Sequence, residues 1–249
     1  MFDFSPSNAV VDFMSESPHH GFQGDRKVPP SEPKIPGSLT IAFCQQSGSR
    51  GARIATLVGE QLGWQVYTHE LLAYGSQDQQ FCEEVFESLS PGSREWVEDE
   101  LRRSPLADKL ETSASTVSLA RIILALGAQG DVILIGRGAG YLLPRRTTLH
   151  VRTVAPIADR VGYMSEWLRL TKEEAAEQIQ ARDLRREGFI ETQFGVTPHD
   201  AHLFDLVINT SSIGEEMCAE LVVQAAQGKL NSMLTPPEEK TLADSGFIA

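Results

Sequence analysis

Apolar positions along the chain follow two rhythms. Leu39–Cys44 (LTIAFC), Val132–Ile135 (VILI), Leu149–Val154 and Leu206–Asn209 (LVIN) are short and almost continuously apolar, the pattern of strands buried on both faces. Trp64–Tyr67 is a fifth, shorter run. Between them the spacing turns helical. Ile54, Leu57, Val58 and Leu62 lie on one face, with Gly63 as the stop, and Val117, Ala120, Ile123, Leu124 and Leu126 mark an amphipathic helix over 113–129. Polar helices are expected over about 69–111, and further helices near 156–170, 172–187 and 214–227. Strands alternating with helices predict an α/β protein, a parallel sheet covered on both faces. In such a sheet, ligands bind beyond the carboxyl ends of the strands.

The two ends break this pattern. Residues 1–38 hold six of the 13 prolines and six serines, and predict a disordered tail. Within it, Met1–Met14 interleaves Phe2, Phe4, Val10, Val11 and Phe13 with polar residues, so a docking segment for a protein partner is the alternative to a plain tail. From Lys229 the chain turns polar again and predicts a second flexible tail over 229–249, leaving one domain at 39–228. No run approaches the length needed to span a bilayer, and the first residues lack a basic start followed by an apolar stretch. Cys44, Cys82 and Cys218 are scattered without metal-ligand spacing. Together these features predict a cytoplasmic protein with reduced thiols.

Charge changes the picture once it is divided. The 249 residues carry a net charge of -12, which argues against a general nucleic-acid surface. Yet residues 137–186 hold ten basic and six acidic side chains, while 187–228 hold no lysine or arginine and seven acidic ones. Nine of the ten cations are arginines, the side chain best shaped for bidentate phosphate contacts. Arg182, Arg185 and Arg186 fall at helical spacing, so some share a face. The competing reading is ordinary pairing with helix neighbours such as Asp159, Glu166 and Asp183. No histidine pattern suggests a metal site, and no serine stands in a nucleophile arrangement.

The first strand runs into Ser47-Gly48-Ser49-Arg50-Gly51 and then a helix. Backbone amides of such a turn, with the helix start behind them, form an anion cradle. A full phosphate-binding loop would continue with Lys and then Ser or Thr; here Ala52 and Arg53 follow. A plain structural turn therefore stands beside the phosphate cradle as a reading.

Ser47–Leu72 together with VILIGRGAGYLL (Val132–Leu143), LHVRTVAPIADRVGYM (Leu149–Met164), ARDLRREGF (Ala181–Phe189) and FDLVINTSSIG (Phe204–Gly214) resembles the cytidylate kinase-like family of P-loop proteins, in order and spacing. The resemblance implies a three-layer P-loop kinase fold with a parallel five-stranded sheet and an arginine-bearing helical lid. It implies ATP and Mg²⁺ as cofactors, and phosphoryl transfer to a nucleoside monophosphate of CMP type. Gly48, Ser49, Arg50, Gly51 and Arg53 would then meet the donor phosphates, an arginine replacing the missing lysine. Arg137 would hold the acceptor, while Arg160, Arg182 and Arg185 would meet the transferring phosphoryl group. By the same resemblance, Ala52 stands where true cytidylate kinases carry lysine and the like-family often arginine, Thr68 where the family carries aspartate, and Gly138 where true cytidylate kinases carry aspartate, though much of the like-family has glycine there too. These departures keep open the alternative of a catalytically degenerate kinase fold with a nucleotide- or partner-binding regulatory role.

Overall fold

The computed structural model describes residues 38–104 and 114–234; the expected docking segment at Met1–Met14 and the chain beyond Leu234 lie outside them. Five strands, β1 (Thr40–Gln45), β2 (Gln65–Tyr67), β3 (Val132–Ile135), β4 (Thr148–Val154) and β5 (Leu206–Asn209), form one sheet in the order β2-β3-β1-β4-β5. Every pairing is parallel, and the register sets Ala42 between Leu134 and His150. The chain leaves β1 toward one edge and later returns to fill the other. The sheet therefore has its crevice at the carboxyl end of β1, between β3 and β4.

Ten helices surround the sheet among the described residues: α1 (Gly51–Leu62), α2 (His69–Gly75), α3 (Gln79–Glu87), α4 (Pro91–Arg103), α5 (Ala114–Gln129), α6 (Ala139–Leu142), α7 (Ile157–Leu168), α8 (Lys172–Phe194), α9 (Thr210–Ile213) and α10 (Glu215–Leu234). Strand alternation divides them into layers. Ile41 and Phe43 point with Ile133 and Ile135 into a core closed by Val58 of α1 and Val222 of α10. Ala42 and Leu134 face the other way, toward Leu124 of α5, Trp96 and Val97 of α4, and Phe194 at the end of α8. Ile133 is fully buried, so truncating it to alanine costs about 2–5 kcal/mol. A small third cluster, Met164, Ala175 and Ile179, joins α7 to α8 as a separate helical arm.

Three boundaries differ from the sequence expectation. The polar stretch after β2 is divided by side-chain caps: Thr68 accepts from Leu71 N, Asp78 from Phe81 N and Ser90 from Ser93 N, each starting a new helix. Helix α8 continues past 187 to Phe194, because Ile190 and Phe194 beyond Gly188 are apolar anchors in the main core. Helix α10 runs on to Leu234, six residues past the boundary expected at 228.

Candidate functional site

At the carboxyl end of β1 the chain makes a tight turn before α1. Gly48 (φ 80°) and Arg50 (φ 59°) both take the left-handed conformation. A side chain at Gly48 would meet the Arg160 carbonyl at 2.8 Å, and one at Gly51 would meet Gln45 Oε1 and Thr153 Oγ1 at 2.5 Å, so glycine is required at both places. Ser49 is fully buried; its hydroxyl lies 2.8 Å from the Gln46 carbonyl and 2.9 Å from Thr153 Oγ1, bracing the turn rather than facing outward. Helix α1 begins without a side-chain cap, and its first internal bond runs from Ile54 N to Arg50 O. The amides of Gly51, Ala52 and Arg53 therefore have no acceptor within the helix, the condition under which a helix start attracts an anion. Arg50 and Arg53 both reach Glu215 at the start of α10, at 3.4 and 3.9 Å.

After β3 the chain makes a second unusual turn. Gly136, Arg137 and Gly138 are consecutively left-handed, at φ 76°, 54° and 76°. A non-glycine residue held there costs about 1–2 kcal/mol. Arg137 donates from Nε to the His69 carbonyl at 3.3 Å. A side chain on Gly138 would run into the Phe194 ring, so glycine is required here as well.

Between these turns and the middle of α8 lies a cavity of about 540 Å³. Arg137, Arg152, Arg182, Arg185 and Arg186 line it, with Glu70, Asp183 and Glu187 as its carboxylates and Phe43, Tyr141 and Phe189 among its apolar walls. Each carboxylate is engaged: Glu70 with His69 at 2.9 Å, Asp183 with Arg160 at 2.6 Å and Glu187 with His199 at 3.1 Å. Burial raises the pKa of Glu70, but its contacts with His69, Thr68 and its own amide outweigh this and hold it at about 2. By contrast, Arg137, Arg182 and Arg185 make no ion pair with a carboxylate among the described residues. Arg182 bonds the Gln178 amide oxygen and Arg185 the Ala181 carbonyl.

The cavity thus brings together three of the arginines singled out from the sequence, while Arg160 stands outside its lining. Arg160 is buried with Met164 in α7, and its guanidinium bonds Asp183 and the Ser47 carbonyl. Nor do Gly48 to Arg53 line the cavity; the chain meets it through Gln45 and Gln46 at the entrance to the turn.

Arg152 and Arg186 add to the set. Arg152 sits 8% exposed in mid-strand, bonded to the Pro198 carbonyl and His199 Nδ1, with its guanidinium 5.2 Å from the centre of the Phe204 ring. An arginine inside an apolar strand is itself the sequence signal for such a role, since a charge placed there needs built-in partners. Burial lowers the pKa of Arg186, and Asp183 opposes that shift. A cation desolvated in this way gains by meeting an anion.

The cavity floor is not nucleophilic. Burial raises the Cys44 thiol, the largest effect, against the lowering influence of Arg152 and Arg186. Burial also lowers His150 to about 4, so its ring is neutral at pH 7; Nδ1, 2.8 Å from the Leu203 carbonyl, carries the proton. The site is equipped to hold and orient an anion rather than attack it covalently.

Comparison with known proteins places the chain in a family. The sequence profile described as "Cytidylate kinase-like family" matches residues 40–212. A cytidylate kinase from Methanopyrus kandleri is 32% identical over 97 residues, covering 35% of this chain and 50% of that protein. A uronate isomerase from Corynebacterium glutamicum is 36% identical over 104 residues, covering 42% of this chain and 20% of that protein. The chain therefore spans half or less of the length of these relatives. In three dimensions, an uncharacterized protein from Eubacterium ventriosum superposes with a TM-score of 0.60 at 15% identity, over 77% of this chain and 99% of that one. That likeness concerns the fold.

Proposed function

The chain belongs to the cytidylate kinase-like family, and from that premise we propose that its arginine cavity binds the phosphate of a nucleoside monophosphate, CMP type, for phosphoryl transfer from ATP. The observation that carries this reading is the convergence of Arg137, Arg182 and Arg185 on one cavity without a carboxylate partner among the described residues. Three cations left unneutralised beside a crevice at the carboxyl ends of parallel strands form a site for a multiply charged anion. In this reading Arg137 holds the acceptor phosphate, while Arg182 and Arg185 on α8 close over it and offset charge on the equatorial oxygens.

The family implies ATP and magnesium. The free amides of Gly51, Ala52 and Arg53 fit donor phosphate oxygens. The residues do not fit the metal in the usual way: Arg53 occupies the place of the hydroxyl ligand, and the Ser49 hydroxyl is already committed to Gln46 and Thr153. Bound ATP would supply the phosphoryl group; this chain supplies amides, guanidinium groups and exclusion of water.

A second reading, a kinase fold that binds nucleotide for regulation without turnover, is favoured by the pairing of Arg50 and Arg53 with Glu215, which occupies both candidates for the lysine role. One experiment addresses both. CMP and ATP are titrated separately into wild type and Arg137→Ala, followed by assay for a diphosphate product. The expected result is CMP binding weakened about 30-fold by Arg137→Ala, as for loss of about 2 kcal/mol of charge-assisted hydrogen bonding. Binding without product supports the regulatory reading. Absence of CMP binding refutes the cavity assignment.

A further inference from the structure

One set of contacts lies between the glycine turn and the cavity. The Ser47 amide donates to Asp183 Oδ1 at 2.8 Å. Arg160 donates from NH1 to Asp183 Oδ2 at 2.6 Å, and the Arg186 guanidinium lies 3.7 Å from Asp183 Oδ1. Arg186 also donates to Ser47 Oγ at 2.8 Å and to the Gln45 carbonyl at 3.3 Å. A backbone amide and two guanidinium groups from three different elements thus converge on one carboxylate, and Ser47 is buried beneath it. The Nε of Arg160 is also buried, yet has no partner.

Such a donor set is the one expected around phosphoryl oxygens: an amide of a glycine turn and two arginines, held in a partly dried site. A planar carboxylate has two oxygens and leaves Arg160 Nε unused; a tetrahedral phosphoryl group has a further oxygen to offer. We propose that the Ser47 amide, Arg160 and Arg186 form a phosphoryl-binding site and that Asp183 is its internal occupant, displaced when phosphate binds. The proposal rests on the reading that this region handles phosphate, and adds a site separate from the Arg137 end of the cavity. It also gives Arg160 its place: the residue is held by Asp183 without ligand and released to the incoming group. The displaced carboxylate returns when phosphate leaves and restores the tie from α8 to the Ser47 amide. Selectivity follows from the same exchange, because an anion must offer more than a carboxylate does in order to enter.

The test uses inorganic phosphate and the full chain. Calorimetric titration compares wild type with Asp183→Ala, which removes the competitor and retains all three donor groups. Phosphate should bind the variant at least tenfold more tightly, and should restore the thermal stability the variant loses, whereas chloride at equal ionic strength should not. Equal or weaker phosphate affinity in Asp183→Ala, or restoration by chloride as well, overturns the proposal. Asp183→Asn, which preserves size and an acceptor for the Ser47 amide, covers the case of a poorly folded alanine variant. Tighter phosphate binding is again expected, and unchanged affinity overturns the proposal. CMP titration of the wild type, read through Arg137, reports independently on the function proposed above.

Discussion

Replacing Gly138 by aspartate should weaken the fold rather than improve the site. Two costs are visible. The backbone there has φ 76°, where a side chain costs about 1–2 kcal/mol. The added Cβ would enter the ring of Phe194, which is 9% exposed and packed in the main core; overpacking of this kind costs about 1–3 kcal/mol. Together they predict a loss of about 2–5 kcal/mol, or on the order of 10 °C in Tm for a domain of this size. Gly138→Ala should show most of the loss, since the Cβ causes both effects. Urea denaturation of wild type, Gly138→Ala, Gly138→Asp and each variant combined with Phe194→Ala separates the two costs: removing the ring should relieve the packing cost and leave the backbone cost. Variants within about 0.5 kcal/mol of wild type, or strict additivity with Phe194→Ala, would refute the reasoning.

Other consequences concern pH and the two classes of arginine. His150 has its pKa lowered from 6.5 to about 4 while 5% exposed, so between those values the unfolded chain binds a proton the native chain does not. Stability should therefore be full above pH 6.5 and fall by about 3 kcal/mol by pH 4, and this component should vanish in His150→Gln when urea curves are compared across pH. Arg160→Ala, which breaks a mostly buried pair with Asp183, should cost about 3 kcal/mol in the same assay. Arg185→Ala, at an exposed position, should leave stability within about 0.5 kcal/mol of wild type. It should weaken CMP binding about tenfold by titration, the loss of one charge-assisted contact.

Much of the architecture was legible because its signals are local. Four strands stand out as apolar runs, and Gly63, at φ 69° with its amide bonded to Gly59 O, is the helix stop its position suggested. Less legible were features set by distant partners. Helix α8 does end on a local signal, Gly195 at φ 66° with its amide bonded to Glu191 O, but what carries it past 187 to that stop is Ile190 and Phe194 packing against residues far away in sequence. Thr68 reads from the sequence as a missing aspartate, whereas its local task is to cap α2. The arginines show the same division. Their clustering by residue type was readable, but the pairing of Arg160 with Asp183 joins α7 to α8 and could not be separated from surface pairing without the fold.

The net charge of -12 conceals the feature that matters for binding. In the structure the basic stretch divides by what each arginine meets. Arg160 and Arg186 converge on Asp183, and Arg152 on a carbonyl, a histidine and an aromatic ring. Only after those assignments do Arg137, Arg182 and Arg185 emerge as cavity cations without a carboxylate partner among the described residues. A cation that already has a buried carboxylate must exchange one anion for another, whereas an unpaired one gains the new contact outright. The two groups should therefore differ in how strongly they draw a ligand: on the proposed function the Arg137 end would give affinity for a monophosphate, and the Asp183 hub would set how much better than a carboxylate the second anion must be.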